Sequence, residues 1–195
     1  MDRVLLFSSL SFIMSLRQYI PTICAGATVV FSRSSIDFES AIVAGKVNKL
    51  VCTPSALAAL DIDLVASGID MVQVAGEAPR KGIMTAWKSR VNNLYIGLGP
   101  TELCAHAICG EFDGETICLG YPAANVRAYI VDSSTGIQSP VNVPGELWVA
   151  GENVSSGYLN QKKLTDQSFT TDPFSSSSSS SSMRLYKTGD LAKVR

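Results

Sequence analysis

The sequence is short of charge. Of its 195 residues only 17% are Asp, Glu, Lys or Arg, and 16 basic against 17 acidic side chains leave a formal net charge of -1. So weak a field gives a polyanion nothing to hold, which argues against nucleic acid or an acidic membrane surface as a partner. Long apolar runs are also missing, since no stretch approaches the roughly 20 residues needed to span a bilayer. The segment from Met1 to Leu10 carries Asp2 and Arg3, shows no small-residue cleavage site and is soon followed by Arg17, so it reads as a strand and not as a signal peptide. Histidine occurs once, at His106. The five cysteines, Cys24, Cys52, Cys104, Cys109 and Cys118, are odd in number and irregularly spaced in a chain too long to need staples. Reduced thiols and a cytoplasmic setting are the expectation. Cys104, His106 and Cys109 form a Cys-x-His-x-x-Cys pattern, but a fourth ligand would have to come from Cys118 or beyond. That spacing matches no common zinc knuckle, and free cysteines commonly serve as small hydrophobes.

What is present is a large apolar share, 46% hydrophobic residues, enough for a sizeable core in one domain or a domain and a half. No internal repeat is visible. The first 120 residues alternate between strand and helix patterns. Ala27–Phe31 is a β-branched run, Ile36–Val47 has a helical apolar face, and Lys49–Cys52 is a short apolar strand. A helix starts at Thr53 with Pro54 in its first turn. Met71–Ala75 reads as a strand, Pro79–Ser89 as a helix and Asn93–Ile96 as a strand. Strand, helix, strand with short links predicts a parallel sheet with right-handed crossovers. After Gly120 the texture changes: Asn125–Asp132 and Gly145–Ala150 are β runs separated by Ser-Ser-Thr-Gly and by Pro140–Pro144, the turn chemistry of antiparallel hairpins. The expected organisation is an α/β part over residues 1–120 followed by a small antiparallel β subdomain over 121–195. The serine run Ser175–Ser182 can bury nothing and is expected to be a flexible loop.

Three segments carry chemistry. Gly99-Pro100-Thr101-Glu102 follows a predicted strand, where the ends of parallel strands place α/β sites and a glycine lets the backbone approach a ligand. Thr101 offers a hydroxyl to a phosphate and Glu102 a hard carboxylate to magnesium. Gly145-Glu146-Leu147-Trp148 leads to Gly151 and to Gly157-Tyr158-Leu159. In Tyr186-Lys187-Thr188-Gly189-Asp190-Leu191, Asp190 is an acceptor suited to both hydroxyls of a ribose. Together they form a nucleotide-plus-magnesium pattern.

In this order, and joined by Leu6-Phe7-Ser8-Ser9-Leu10-Ser11-Phe12, Ala25-Gly26-Ala27, Thr53-Pro54-Ser55-Ala56-Leu57 and Ala75-Gly76-Glu77-Ala78, these motifs resemble the adenylation domain of nonribosomal peptide synthetases over essentially the whole chain. The resemblance implies an adenylate-forming fold and an ATP-dependent ligase. Such a ligase activates a carboxylic acid as acyl-AMP and passes it to a phosphopantetheine carrier protein, with condensation domains as further partners. It implies that Thr101 contacts the α-phosphate, Glu102 binds magnesium and Asp190 holds the ribose, with Gly97, Leu98, Gly99 and Pro100 also at the nucleotide. The acid pocket carried over by position consists of Ile13, Met14, Arg17, Ser55, Gln73, Ala75, Gly97, Ala105 and His106.

The departures are informative. The family's aspartate for an α-ammonium group is here Ile13, and its adenine-stacking aromatic is Leu98, so stacking becomes apolar packing. A buried ammonium without a counter-charge is costly, which makes an ordinary α-amino acid a poor fit. Small Ala75, Gly97 and Ala105 leave room, while Arg17, Gln73 and His106 suit a polar or acidic substituent. The wording of the sequence also resembles fungal siderophore synthetases, whose pockets take acylated hydroxyornithines. The family's phosphate loop is expected before residue 1 and its small C-terminal domain after Arg195, so the 195 residues alone are expected to be inactive. A non-catalytic remnant and an acyl-CoA ligase remain as alternatives.

Overall fold

A computed structural model describes residues 1–32, 38–175 and 183–195. It divides into two compact units, Met1–Gly99 with Ile108–Tyr121, and Pro100–Ala107 with Pro122–Arg195.

The first unit contains β1 (Arg3–Leu6), α1 (Met14–Cys24), β2 (Thr28–Phe31), α2 (Phe38–Ala44), β3 (Lys49–Cys52), α3 (Pro54–Ala59), α4 (Ile62–Val65), β4 (Met71–Val74), α5 (Lys81–Lys88), β5 (Asn93–Leu98) and β6 (Ile108–Glu111). With β7 (Tyr121–Pro122) these strands form one sheet in the order β2-β1-β3-β4-β5-β6-β7. Strands β1 to β5 run parallel, as the alternating pattern predicts. β6, for which the sequence pattern predicts no strand, pairs antiparallel with β5, Leu98 opposite Ile108. The link between those two strands is too short for a helical crossover. The apolar residues of the inner strands, Leu5, Leu50, Val72, Val74, Leu94 and Ile96, pack with Ile42, Leu57, Val65, Met84 and Trp87 from the helices.

Local chemistry explains several boundaries. Thr53 is extended and its hydroxyl accepts the Ala56 N–H at 3.2 Å, capping α3, with Pro54 at the first helical position. Helix α1 has no such signal: Ile13 precedes it without a side-chain cap, and Pro21 lies inside it. Buried Gln18 ties this helix to the sheet, accepting from the N–H groups of Phe7 (3.2 Å) and Ser8 (3.0 Å) and donating to the Val51 carbonyl (2.6 Å). Of the expected helix Ile36–Val47, Ile36 lies outside the described residues and Phe38–Ala44 is helical. The expected N-terminal strand is confined to Arg3–Leu6. A close backbone approach lies at the β6 side of the sheet, where a Cβ on Gly110 would stand 2.6 Å from the Gly120 Cα.

The second unit is an antiparallel sheet, ordered β11-β12-β10-β8-β9, built from β8 (Val126–Asp132), β9 (Ile137–Gln138), β10 (Gly145–Gly151), β11 (Phe169–Thr171) and β12 (Arg184–Ala192), with α6 (Lys162–Ser168). The Ser-Ser-Thr-Gly sequence closes the β8–β9 hairpin, with the Thr135 and Gly136 N–H groups donating to the Asp132 carbonyl at 3.2 and 2.8 Å. Val131, Trp148, Ala150 and Leu185 make the core, with Tyr129 and Phe174 against it. Asp172, 3% exposed, accepts from the Tyr129 hydroxyl at 3.0 Å and pairs with Arg127 at 3.5 Å. The serine run lies outside the described residues apart from Ser175. Among the described residues no helix is long and apolar enough to cross a membrane. Nor do three or more His, Cys, Asp or Glu side chains gather as a metal cluster among them, and the five cysteines are free.

Candidate active site

In the second unit, Pro100 is extended and begins a single 3-10 turn over Thr101–Leu103. The Pro100 carbonyl accepts from the N–H groups of Leu103 (3.0 Å) and Ala105 (3.2 Å), while Cys104 and Ala105 both adopt left-handed backbone, φ 52° and 62°. Two consecutive non-glycine residues in that region are strained and persist only when the surroundings dictate them. Here the surroundings are fully buried Leu103 and the segment after β10. Asn153 donates to the carbonyls of Leu103 (3.1 Å) and His106 (3.4 Å), and the Ser155 N–H donates to the Glu102 carbonyl (2.9 Å). The turn leaves Thr101 exposed, with Glu102 and His106 half-buried.

The Glu102 side chain is held from the same segment. The Tyr158 hydroxyl donates to Glu102 Oε1 at 2.7 Å. The Tyr158 ring meets Phe169 edge-on at 5.4 Å, and Phe169 in turn lies 5.0 Å from the Tyr186 ring. Burial first, and then the neighbouring Glu102 carboxylate, push the Tyr158 phenol above its ordinary pKa. Tyr186 is raised chiefly by burial, with Tyr158 and Glu102 adding to the effect. Both phenols therefore stay protonated as donors. The sequence pattern assigns neither tyrosine a role, although both lie in its motifs, Gly157-Tyr158-Leu159 and Tyr186-Lys187-Thr188.

Asp190 owes its position to a bulge. Trp148 pairs with Lys187 and Glu146 with Leu191, so Thr188, Gly189 and Asp190 together face Leu147. Gly189 takes φ +77°, the Thr188 hydroxyl donates to the Leu147 carbonyl at 2.8 Å, and the Asp190 N–H returns to that hydroxyl at 3.0 Å. Asp190 is exposed, and among the described residues its carboxylate has no hydrogen-bond or ion-pair partner.

In the first unit, four of the expected pocket residues, Arg17, Gln73, Ala75 and Gly97, come together. Arg17, in the first turn of α1, donates from Nη2 to the Gln73 Oε1 at 2.7 Å, and Gln73 Nε2 donates to the Cys109 Sγ at 3.3 Å. A Cβ on Gly97 would meet Gln73 Nε2 at 3.0 Å and the Ala75 Cβ at 3.7 Å. Ala75 and Met14 are buried, while Ile13 and Leu98 are half-buried. Ser55 stands apart from this group: it is exposed, its N–H donates to the Glu77 carboxylate at 3.2 Å, and its hydroxyl donates to the same oxygen.

The family described as AMP-binding enzyme matches residues 1–159. The chain belongs to this family. Bacitracin synthase 3 of Bacillus licheniformis is 32% identical over 203 residues, an alignment covering 97% of this chain and 3% of that protein. Novobiocin biosynthesis protein H of Streptomyces niveus is 32% identical over 203 residues, covering 100% of this chain and 32% of that protein. Among solved structures, the N-terminal subdomain of Klebsiella oxytoca NpsA in complex with 3-hydroxybenzoyl-AMSN superposes with TM-score 0.83 at 20% identity, covering 98% of this chain and 51% of that one. A four-domain nonribosomal peptide synthetase bound to AMP and glycine superposes with TM-score 0.84 at 27% identity, covering 100% of this chain and 15% of that one. The chain thus spans a small part of these relatives and about half of the solved subdomain. The α/β sheet followed by an antiparallel sheet is the fold expected for the N-terminal part of an adenylate-forming enzyme.

Proposed function

We propose that the polypeptide carrying this chain is an adenylate-forming ligase of nonribosomal peptide synthesis. A carboxylate oxygen of the acid attacks the α-phosphorus of ATP in line, the bond to the leaving group breaks, and pyrophosphate departs. The thiol of a phosphopantetheine arm then loses its proton and attacks the acyl carbon, and AMP leaves. No protein nucleophile is needed, so catalysis consists of positioning and charge stabilisation.

The observation that carries this reading is the strained turn at 100–107, which leaves Thr101 exposed next to Glu102, whose carboxylate is held by the half-buried Tyr158 phenol. Thr101 donates to the α-phosphate. Glu102 fits magnesium: it is a hard carboxylate with acceptor capacity beyond the one bond from Tyr158, and magnesium sites of this kind take one or two carboxylates with substrate phosphates. When bound, the ion neutralises phosphate charge. The free carboxylate of Asp190 accepts from the ribose hydroxyls, Leu98 packs against adenine, and Gly97, Gly99 and Pro100 let the backbone approach the nucleotide. Ile13, Met14, Arg17, Ser55, Gln73, Ala75, Ala105 and His106 select the acid. Acylated hydroxyornithines, the acids of the fungal siderophore synthetases that the sequence resembles, belong in any substrate panel. Partner carrier and condensation domains would receive the product, and ATP supply and free thiols fit a cytoplasmic setting.

ATP–pyrophosphate exchange by the full-length polypeptide tests the reading. Exchange that depends on an added acid is the expected result. Its absence with every acid, including N-hydroxy and acylated amino acids, would overturn it.

A further inference from the structure

Among the described residues Arg17 is a half-buried cation without an anionic partner. The ion pairs among the described residues join Asp2 to Lys49, Glu111 to Lys88, Asp63 to Arg90, Asp172 to Arg127 and Asp166 to Lys162, and none involves Arg17. A guanidinium has five N–H donors, and here one bond goes to the neutral Gln73 carbonyl. The Cys109 thiol interacts with it electrostatically, but burial pushes that thiol above its ordinary pKa, so it supplies no negative charge near neutrality. Withdrawing a charge from water without a partner is costly, and breaking up or omitting the partner of a buried charge is a recognised source of instability.

The surroundings hold the charge in place instead of neutralising it. Gln73 is 6% exposed and uses both ends of its amide, oxygen to Arg17 and nitrogen to Cys109, which fixes its orientation. Any side chain at Gly97 would crowd that amide at 3.0 Å. Gln73 and Gly97 stand near the C-terminal ends of the parallel strands β4 and β5, the edge at which α/β sheets bind ligands. No acidic residue lies in the first turn of α1 beside Arg17, and Ile13 precedes it. A planar fork with unused donors, pre-oriented at that edge, matches a carboxylate in bidentate geometry.

We propose that Arg17, oriented by Gln73, binds a second carboxylate on the acid that is activated, so that the substrate is a dicarboxylic acid and not an amino acid with a free ammonium group. This rests on the adenylation reading above. The same charge arrangement works against a free ammonium, which would face the guanidinium with no compensating anion.

The test measures pyrophosphate exchange by the full-length polypeptide. The panel holds succinate, glutarate and adipate, the matched monoacids butyrate, pentanoate and hexanoate, the matched ω-amino acids, the proteinogenic amino acids and an N5-acyl-N5-hydroxyornithine. A dicarboxylate is expected to give the highest kcat/KM, about tenfold or more above its matched monoacid. Arg17→Met should lower kcat/KM for the dicarboxylate about tenfold more than for its matched monoacid and so close the gap, and Arg17→Lys should restore part of it. Highest kcat/KM with a monoacid, an ω-amino acid, any proteinogenic amino acid, aspartate and glutamate included, or the hydroxyornithine overturns the proposal and leaves adenylation standing. Exchange with no acid at all overturns the adenylation reading itself.

Discussion

Tyr158 and Glu102, 56 residues apart in the chain, meet through a 2.7 Å hydrogen bond from the phenol to Oε1 of the carboxylate. The bond fixes a carboxylate that would otherwise swing with its side chain, and the Phe169 ring fixes the phenol. Tyr158→Phe keeps the ring packing and removes only the donor. Stability is expected to fall by about 1 kcal/mol. With Glu102 as the proposed magnesium ligand, the magnesium concentration needed for half-maximal exchange should rise roughly tenfold, the effect of removing a group that orients a metal ligand. Thermal melting and a magnesium titration of exchange separate the two effects; an unchanged magnesium requirement would leave Tyr158 a structural residue only.

Asp190 makes a different prediction because its carboxylate has no hydrogen-bond or ion-pair partner among the described residues. Asp190→Asn removes charge without disturbing the bulge, which depends on the Thr188 hydroxyl and on Gly189. Melting temperature should be nearly unchanged, while the proposed ribose contact predicts that the KM for ATP rises about tenfold. Equal loss of affinity for ATP and for inorganic pyrophosphate would place Asp190 away from the ribose.

The sequence made some of this legible and hid the rest for physical reasons. The cap at Thr53-Pro54 and the apolar run at Lys49–Cys52 are local signals, and α3 and β3 begin where those signals lie. Helix α1 was invisible because Pro21 interrupts its pattern and the contacts that hold it come from Gln18, whose partners lie in other segments. The antiparallel turn of β6 depends on left-handed backbone at Cys104 and Ala105, residues whose identities give no hint of it. At the candidate site, the motif order pointed to Thr101, Glu102 and Asp190, but the tyrosine that holds Glu102 could be identified only once the fold had brought Gly157-Tyr158-Leu159 beside the turn.

Gly120 marks a close approach in the first unit. A Cβ there would lie 2.3 Å from the Gly110 Cα, and its φ of +76° is unfavourable for any L side chain. Gly120→Ala therefore combines a backbone clash with dihedral strain and should cost about 2 kcal/mol or more. Chemical denaturation of the full-length variant checks this, with Gly114→Ala as a comparison: φ is +98° there, yet a Cβ would meet nothing within 4 Å, so the strain cost appears without the clash.

Cys52 gives a pH prediction. Burial raises its thiol from the ordinary value of 9.0 to about 12, because the thiolate would have to form inside the core of the first unit. Below pH 9.0 folded and unfolded chains both carry the proton and the group contributes no slope. As pH rises from 9.0 to about 12 the unfolded chain ionises and the folded chain does not, so stability falls across that window. The slope from this one residue approaches about 1.4 kcal/mol per pH unit. Tyr158 and Tyr186, also raised by burial, add a slope of the same sign, so the comparison must be made against Cys52→Ala. That variant should be less stable at neutral pH, through the lost packing, yet lose less stability between neutral and alkaline conditions. Urea titrations from pH 8 to 11 measure both quantities. Alkylation at pH 8 should label exposed Cys118 and leave Cys52 unmodified until the chain unfolds; rapid native-state labelling of Cys52 would contradict its burial.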